Sequence, residues 1–205
     1  MLDPFLKSDM AGLDGLHLAE DSIVLGARLE AEGGRALPPP FWAVAWAGGQ
    51  ALARYIVDHP TLVAGRRVLD VASGSGLVAI AAATAGAATV TANDIDQYAV
   101  AAIALNAQVN GVAVEVNGDD LLDGDGADAD VVLAGDVFYS ESMARRMLGF
   151  LERVSARGAR VLVGDPGRNF LPHDRMNVVA SYRVSMMGAA EDSEIDQVHV
   201  LEPTR

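Results

Sequence analysis

The run Asp70-Val-Ala-Ser-Gly-Ser-Gly-Leu-Val-Ala79 carries the strongest chemical signal in the chain. It follows a short apolar segment and opens an alanine-rich one, so it reads as a strand–turn–helix corner. Gly74 and Gly76 let the backbone turn tightly and approach a ligand with no Cβ in the way. The helix start beyond them presents unpaired N–H groups and a positive dipole end. Asp94 closes the next apolar segment, where a carboxylate beside the glycine turn can accept both hydroxyls of a ribose. Asp96 stands ready to cap the following helix in its place. Two ligand classes fit these residues, a nicotinamide dinucleotide and S-adenosylmethionine, and Gly74-x-Gly76-x-x-Ala79 matches the dinucleotide fingerprint. Asp70 tilts the choice, because a carboxylate at that point repels a pyrophosphate but suits an amino group and a sulfonium. Asp119 and Asp120, after the third apolar segment, offer acceptors to an adenine amino group.

These residues need a scaffold that brings the ends of several strands together. Short apolar runs at Arg66–Val71, Ala88–Ala92, Val112–Val116, Asp130–Ala134 and Arg160–Val163 read as strands. Helical patterns fall between them at Leu77–Ala85, Gln97–Asn110 and Glu141–Ala156, and a further one follows Gly48-Gly49. A short helix near His173–Ala180 then leads to strands at Tyr182–Met186 and Val198–Leu201, joined by the acidic loop Glu191–Asp196. Alternating strands and helices imply right-handed crossovers and a mostly parallel sheet. The last two strands lack a helix-length connection, so they form a hairpin and one runs antiparallel. The expected fold is therefore α/β: a Rossmann-like, mostly parallel sheet of seven strands with a C-terminal antiparallel hairpin strand and helices on both faces. A dinucleotide fold ends in further parallel strands instead, which again favours S-adenosylmethionine. Residues 1–40 read as a lead-in, with a helix near Ser22–Ala31 and a stiff Pro38-Pro39-Pro40 break, and residues 41–205 as the domain.

The 205 residues hold 28 acids against 15 bases, a net charge of −13, and no cysteine. That acidity disfavours sequence-independent binding to nucleic acid or an anionic membrane. Without cysteine there is no disulfide framework, no zinc–cysteine site and no thiol nucleophile. The four histidines are scattered without metal-ligand spacing, so no metal is expected. No stretch has the length of a membrane span or the pattern of a signal peptide, and a cytoplasmic location is the default expectation.

Val68–Gly76 (VLDVASGSG), Asn93–Asp96 (NDID) and Gly118–Leu121 resemble the cofactor motifs of seven-β-strand S-adenosylmethionine-dependent methyltransferases. Pro39–Arg54 (PPFWAVAWAGGQALAR), Gly135–Tyr139 (GDVFY) and Gly164–Arg168 (GDPGR) are similar to the electron-transfer flavoprotein β-subunit lysine methyltransferases and their bacterial relatives. The resemblance runs from Leu16 to about Leu201. It implies that Trp46 and Gln50 lie over the methionine end of the cofactor. It further implies that Asp70, Ser73, Gly74, Gly76, Asp94, Ile95, Asp119, Asp120 and Gly135 complete the cofactor site. Asp136 and Tyr139, at the end of the fourth strand, are the implied catalytic pair, Asp136 binding and orienting an amine more than acting as a base. Phe41 and Trp42 are expected in the core. Arg168 is left with two readings, a hold on a substrate acid or on a neighbouring carboxylate. The Asn/Asp-Pro-Pro-aromatic motif of methyltransferases acting on exocyclic amines of nucleic acids is missing, since Gly135-Asp136-Val137-Phe138 stands there. The favoured substrate is thus a protein lysine, with the flavoprotein β-subunit suspected as partner. A small-molecule amine or nicotinamide-like heterocycle is the alternative, and an NAD(P)-dependent reductase the third reading.

Overall fold

The computed structural model describes residues 3–4, 15–185 and 194–204. Seven strands form one sheet: β1 (Arg67–Val71), β2 (Thr89–Asn93), β3 (Glu115–Asn117), β4 (Val131–Gly135), β5 (Arg160–Asp165), β6 (Met176–Ser185) and β7 (Glu194–Pro203). Their spatial order is β3-β2-β1-β4-β5-β7-β6. β1 to β5 are parallel, β7 enters antiparallel beside β5, and β6 pairs antiparallel with β7 on the outside. This is the expected sheet, with the hairpin in the expected place.

The central strands are near-continuous apolar runs because both their faces are covered. β1 and β4 bury every residue from Val68 to Val71 and from Val131 to Ala134. β2 differs. Val90 and Ala92 are buried under the helices, whereas Thr89 and Thr91 face a groove of about 600 Å³ on the opposite side. The groove exists because residues 118–130, between β3 and β4, form a loop without a helix. Helices α2 (Ala47–Asp58), α3 (Leu77–Thr84) and α4 (Gln97–Val109) serve one face, and α5 (Glu141–Ala156) alone covers the other. Arg153 and Arg146 of α5 hold the loop, through the carbonyls of Leu122 and Gly124 and the carboxylate of Asp120.

Two sequence expectations fail near the C-terminus. Residues 176–180 are the start of β6, not part of a helix; only His173–Arg175 turn, as a single 3-10 turn. Pairing with β7 from Met176↔Pro203 onward gives this stretch a ladder that local helix patterning does not foresee, and Val178 and Val179 suit a strand. β7 begins at Glu194, inside the stretch read as a loop. Met186, expected at the end of β6, and residues 191–193 of that loop lie outside the described residues. β3 is also shorter and later than expected.

The lead-in contributes to the core. Leu16 and Leu18 are buried with α2 and α3, and His17 N–H donates to Asn106 Oδ1 at 2.5 Å. Helix α1 (Ser22–Gly33) is capped by the Asp21 carboxylate and stopped by Gly34 at φ 63°, as the double glycine predicts. It lays Leu25 and Leu29 against Trp42, Ala99 and Ala102.

Candidate active site

The glycine turn after β1 is built from backbone that few residues adopt. Ala72, Gly74 and Gly76 have φ of 54°, 58° and 84°. Gly76 is needed for a second reason, since a Cβ there would come within 3.3 Å of Ile103 in α4. Asp70 lies behind this turn, only 1% exposed. It accepts from the Ser73 hydroxyl and from Ala79 N–H at 3.1 Å, so it ties the turn to the first coil of α3. Asp94 stands at the front. Its Oδ2 accepts Gly74 N–H at 2.9 Å and its Oδ1 accepts Asp96 N–H at 3.0 Å. Capping of α4 falls to Asp96, which accepts from Tyr98 N–H. Asp94 is thereby fixed beside the turn with a carboxylate lone pair still to offer on each oxygen.

Ile95 projects from this rim, 68% exposed. Asn93 Nδ2 donates to Asn117 Oδ1 and to the Asp119 carbonyl, which draws the third strand end toward Asp94. Asp119 is exposed there, while Asp120 turns away to pair with Arg146 at 3.0 Å. Of the two acids expected near an adenine, only Asp119 keeps its carboxylate clear of α5.

A second group gathers where β4 and β5 end. Asp136 holds φ 57° and is almost wholly buried. Its Oδ1 accepts from Arg168 Nη2 at 2.6 Å, and its Oδ2 accepts from Gly49 N–H at 2.9 Å in the first turn of α2. Arg168 therefore holds a neighbouring carboxylate. Its guanidinium also lies 5.6 Å from the centre of the Trp46 ring, a cation–π distance. The Trp46 indole N–H donates to the Phe41 carbonyl, and the Gln50 amide to the Ala45 carbonyl, so both side chains secure the segment entering α2. Tyr139 is 53% exposed, with its ring 6.1 Å from that of Phe41. Trp42 is buried as expected and stacks on Tyr98, but Phe41 is half exposed on the rim between Trp46 and Tyr139. In the 3-10 turn Phe41–Ala43 the buried side is taken by Trp42 and Ala43, which leaves Phe41 facing out.

The sequence reading missed what lets α2 approach. Cβ atoms built at Gly48 and Gly164 would sit 2.2 and 2.0 Å from each other's carbonyl oxygens, and one at Gly135 would lie 2.9 Å from Gly49 Cα. Gly135 thus serves the approach of the helix to the sheet. The available signal was a glycine pair opening a helix, matched by a Gly-Asp pair ending each of two neighbouring strands.

Burial pushes the carboxyls of Asp70, Asp94, Asp136 and Asp165 upward, Asp70 to about 7. The Tyr139 phenol is raised by burial and then by the charge of Asp94, which places the two within electrostatic reach. The consequence for stability has a definite sign. Between the ordinary carboxylate value of 3.8 and about 7, Asp70 stays protonated in the folded chain and ionises in the unfolded one. The folded state then binds more protons, so stability falls as pH rises through that window. Asp120, lowered by Leu122 N–H and Arg146, and Asp130, lowered by Arg67, act oppositely, but their contributions are lost only below the ordinary range. Thermal melts at pH about 5 and about 7.5 should show the lower midpoint at the higher pH. Asp70→Asn, which can keep both accepted bonds, should flatten that slope; an unchanged slope would remove Asp70 as its source.

Residues 51–137 match the family model of ribosomal protein L11 methyltransferase (PrmA). The electron transfer flavoprotein beta subunit lysine methyltransferase of Danio rerio is 44% identical over 133 residues, covering 64% of this chain and 52% of that protein. The Mus musculus protein of the same name is 44% identical over 131 residues, 63% and 51% of the two chains. The chain thus spans about half the length of these relatives. Among solved structures, TrmN from Thermus thermophilus aligns at TM-score 0.54 and 25% identity over 76% of this chain and 48% of that one. Magnesium protoporphyrin IX methyltransferase from Synechocystis PCC 6803, solved with bound S-adenosylmethionine, aligns at TM-score 0.57 and 17% identity over 92% and 98%. The chain has the seven-strand methyltransferase fold. The family match ends at Val137, just past Asp136, so the Arg168 half of the site lies beyond it.

Proposed function

We propose that this chain is an S-adenosylmethionine-dependent N-methyltransferase that modifies a protein lysine, with the electron transfer flavoprotein β-subunit as substrate. The observation that carries the reading is the pairing of Asp94 with Gly74 N–H on one rim, opposite Asp136 and Tyr139 on the other. The residues fit the cofactor. Gly74 and Gly76 give a bare backbone turn, Asp94 a fixed acceptor for ribose hydroxyls, and Ile95 and Asp119 an apolar and a polar neighbour for adenine. The Asp94 carboxylate stands at the front of the turn, an arrangement suited to an aminoacyl sulfonium and hostile to a pyrophosphate. Bound S-adenosylmethionine supplies a methyl group on a positively charged sulfur.

The chain's own residues handle the amine. Free lysine has a pKa of about 10.4, so the nucleophile must shed a proton before its nitrogen can form the new bond to carbon. Asp136 offers its carboxylate as an acceptor for an amine N–H, and Tyr139 a phenol and ring at an accessible position. Asp136 is held by Gly49 N–H at the start of α2 and by Arg168, and Tyr139 stands against Phe41, which fixes the line of approach. The relatives' names support the lysine and the flavoprotein; the exposed aromatic rim of Phe41 and Tyr139 suits a protein surface more than an enclosed small molecule.

The test uses methyl-labelled S-adenosylmethionine with purified electron transfer flavoprotein and with a cell lysate. Label in the flavoprotein β-subunit, lost in Tyr139→Ala while the melting temperature holds, is the expected result. Label confined to small molecules would replace the protein substrate with an amine or heterocycle. Stabilisation by NAD(P) but not by S-adenosylhomocysteine would overturn the cofactor.

A further inference from the structure

Arg168 is the one cation bonded to Asp136 among the described residues. A nearly buried carboxylate beside a transfer site has two opposite effects on an incoming lysine. It attracts the side chain, and it stabilises the ammonium form, which has no lone pair and cannot attack a methyl group. Arg168 cancels part of that second effect.

The surroundings define the charge it must cancel. β4 contributes Asp136. β5 contributes Asp165, fully buried, whose Oδ1 accepts the backbone N–H groups of Gly167 and Arg168 at 2.8 and 2.7 Å. Its Oδ2 has no protein partner among the described residues, and neither has Arg168 Nε. α2 contributes the Gly49 N–H at its positive end, and Trp46 a ring under the guanidinium. Tyr139 stands on the same rim beside Phe41, and Asp94 acts on its phenol from the glycine-turn rim. The guanidinium bonds Asp136 and acts on Asp165 through charge alone, so removing it takes the cation from both buried carboxylates.

We propose that Arg168 is a positioning residue of the transfer site, balancing the charge of Asp136 so that an amine is held there without being locked as ammonium; this rests on the N-methyltransferase reading above. Arg168 suits the task because its guanidinium bonds Asp136 while lying over the Trp46 ring. Removing the charge deepens the attraction for ammonium and raises the pH at which the amine becomes nucleophilic.

The experiment measures kcat and KM for methylation of electron transfer flavoprotein across pH in the wild type, Arg168→Gln and Arg168→Lys. Arg168→Gln should keep or lower KM while kcat near neutral pH falls about tenfold, recovering when the pH is raised by about one unit. Arg168→Lys, which keeps the charge, should hold the wild-type profile. Arg168→Met, which retains the packing on Trp46, makes the same prediction as Arg168→Gln should that variant fold poorly. A kcat lowered by one factor at every pH would reduce Arg168 to a structural role and overturn the inference, as would a neutral variant that behaves like wild type. A wild type that methylates no amine would sink the N-methyltransferase reading itself, whereas an active wild type with an unmoved Arg168→Gln profile sinks only the role of Arg168.

Discussion

Asp136→Ala should cost stability as well as activity, on the order of 3 kcal/mol, because it strips a largely buried Arg168 of its charge partner. Two further losses point the same way. Gly49 N–H at the start of α2 loses its acceptor. An alanine must also hold φ 57°, a region that Asp tolerates better than Ala. For a chain of this length each kcal/mol shifts the midpoint by about 2–4 °C, so the loss is visible in a thermal melt. The pairing makes the effect testable as a coupling. Removing Arg168 alone leaves a buried carboxylate, and removing both leaves neither charge. The double variant Asp136→Ala/Arg168→Ala should therefore be less destabilised than the two single losses added together, by at least about 1 kcal/mol. Additive losses would mean that the 2.6 Å contact carries no net energy. The practical consequence is that lost methyl transfer in Asp136→Ala alone cannot assign chemistry to Asp136. Tyr139→Ala is the cleaner probe, because that side chain is half exposed and anchors no buried charge.

The features legible in the sequence are those written in local spacing. The glycine turn is written within Asp70–Ala79, and Asp94 with the cap at Asp96 comes one strand later, twenty positions past Gly74; the structure brings Asp94 onto the Gly74 N–H and caps α4 with Asp96. Helix α5 occupies the predicted Glu141–Ala156, with Ser140 as its cap and Gly158 just past its end. What escaped depends on contacts between distant segments. β6 was read partly as helix because its stabilising partner, β7, begins nine residues after β6 ends. Arg168 could not be assigned because its partner lies thirty-two positions away. Asp70 could be placed near the turn from sequence, but only the fold shows it behind the glycines, bonded to Ser73 and Ala79. Gly48 and Gly49 are adjacent residues of one type in the sequence. The structure makes them opposites.

Gly48→Ala and Gly49→Ala should therefore give the most divergent pair of outcomes in the molecule. A Cβ at Gly48 would stand 2.2 Å from the Gly164 carbonyl oxygen, 2.6 Å from its carbon and 2.7 Å from Asp136 Oδ2. The first two are backbone atoms of β5, a strand hydrogen-bonded on both sides, so no side-chain rotation relieves the clash. The helix must move instead. Overpacking of this kind costs about 1–3 kcal/mol where side chains can yield, and the upper end or more is expected where they cannot. Moving α2 also withdraws the Gly49 N–H from Asp136 and shifts Trp46 under Arg168, so the transfer site loses its frame along with the stability. A displacement of about 1 Å at reacting groups can cost about a hundredfold in rate. At Gly49 the nearest atom to a new Cβ is Val78 Cγ2 at 3.8 Å, an ordinary contact. Gly49 lies in the first turn of a helix, where alanine is favoured over glycine by up to about 1 kcal/mol. Gly49→Ala should thus melt at or above the wild-type temperature and keep its activity, while Gly48→Ala melts far lower and transfers little. Equal behaviour of the two variants would show that α2 does not rest on β5 at Gly48, and with that contact would go the account of how Asp136 is held.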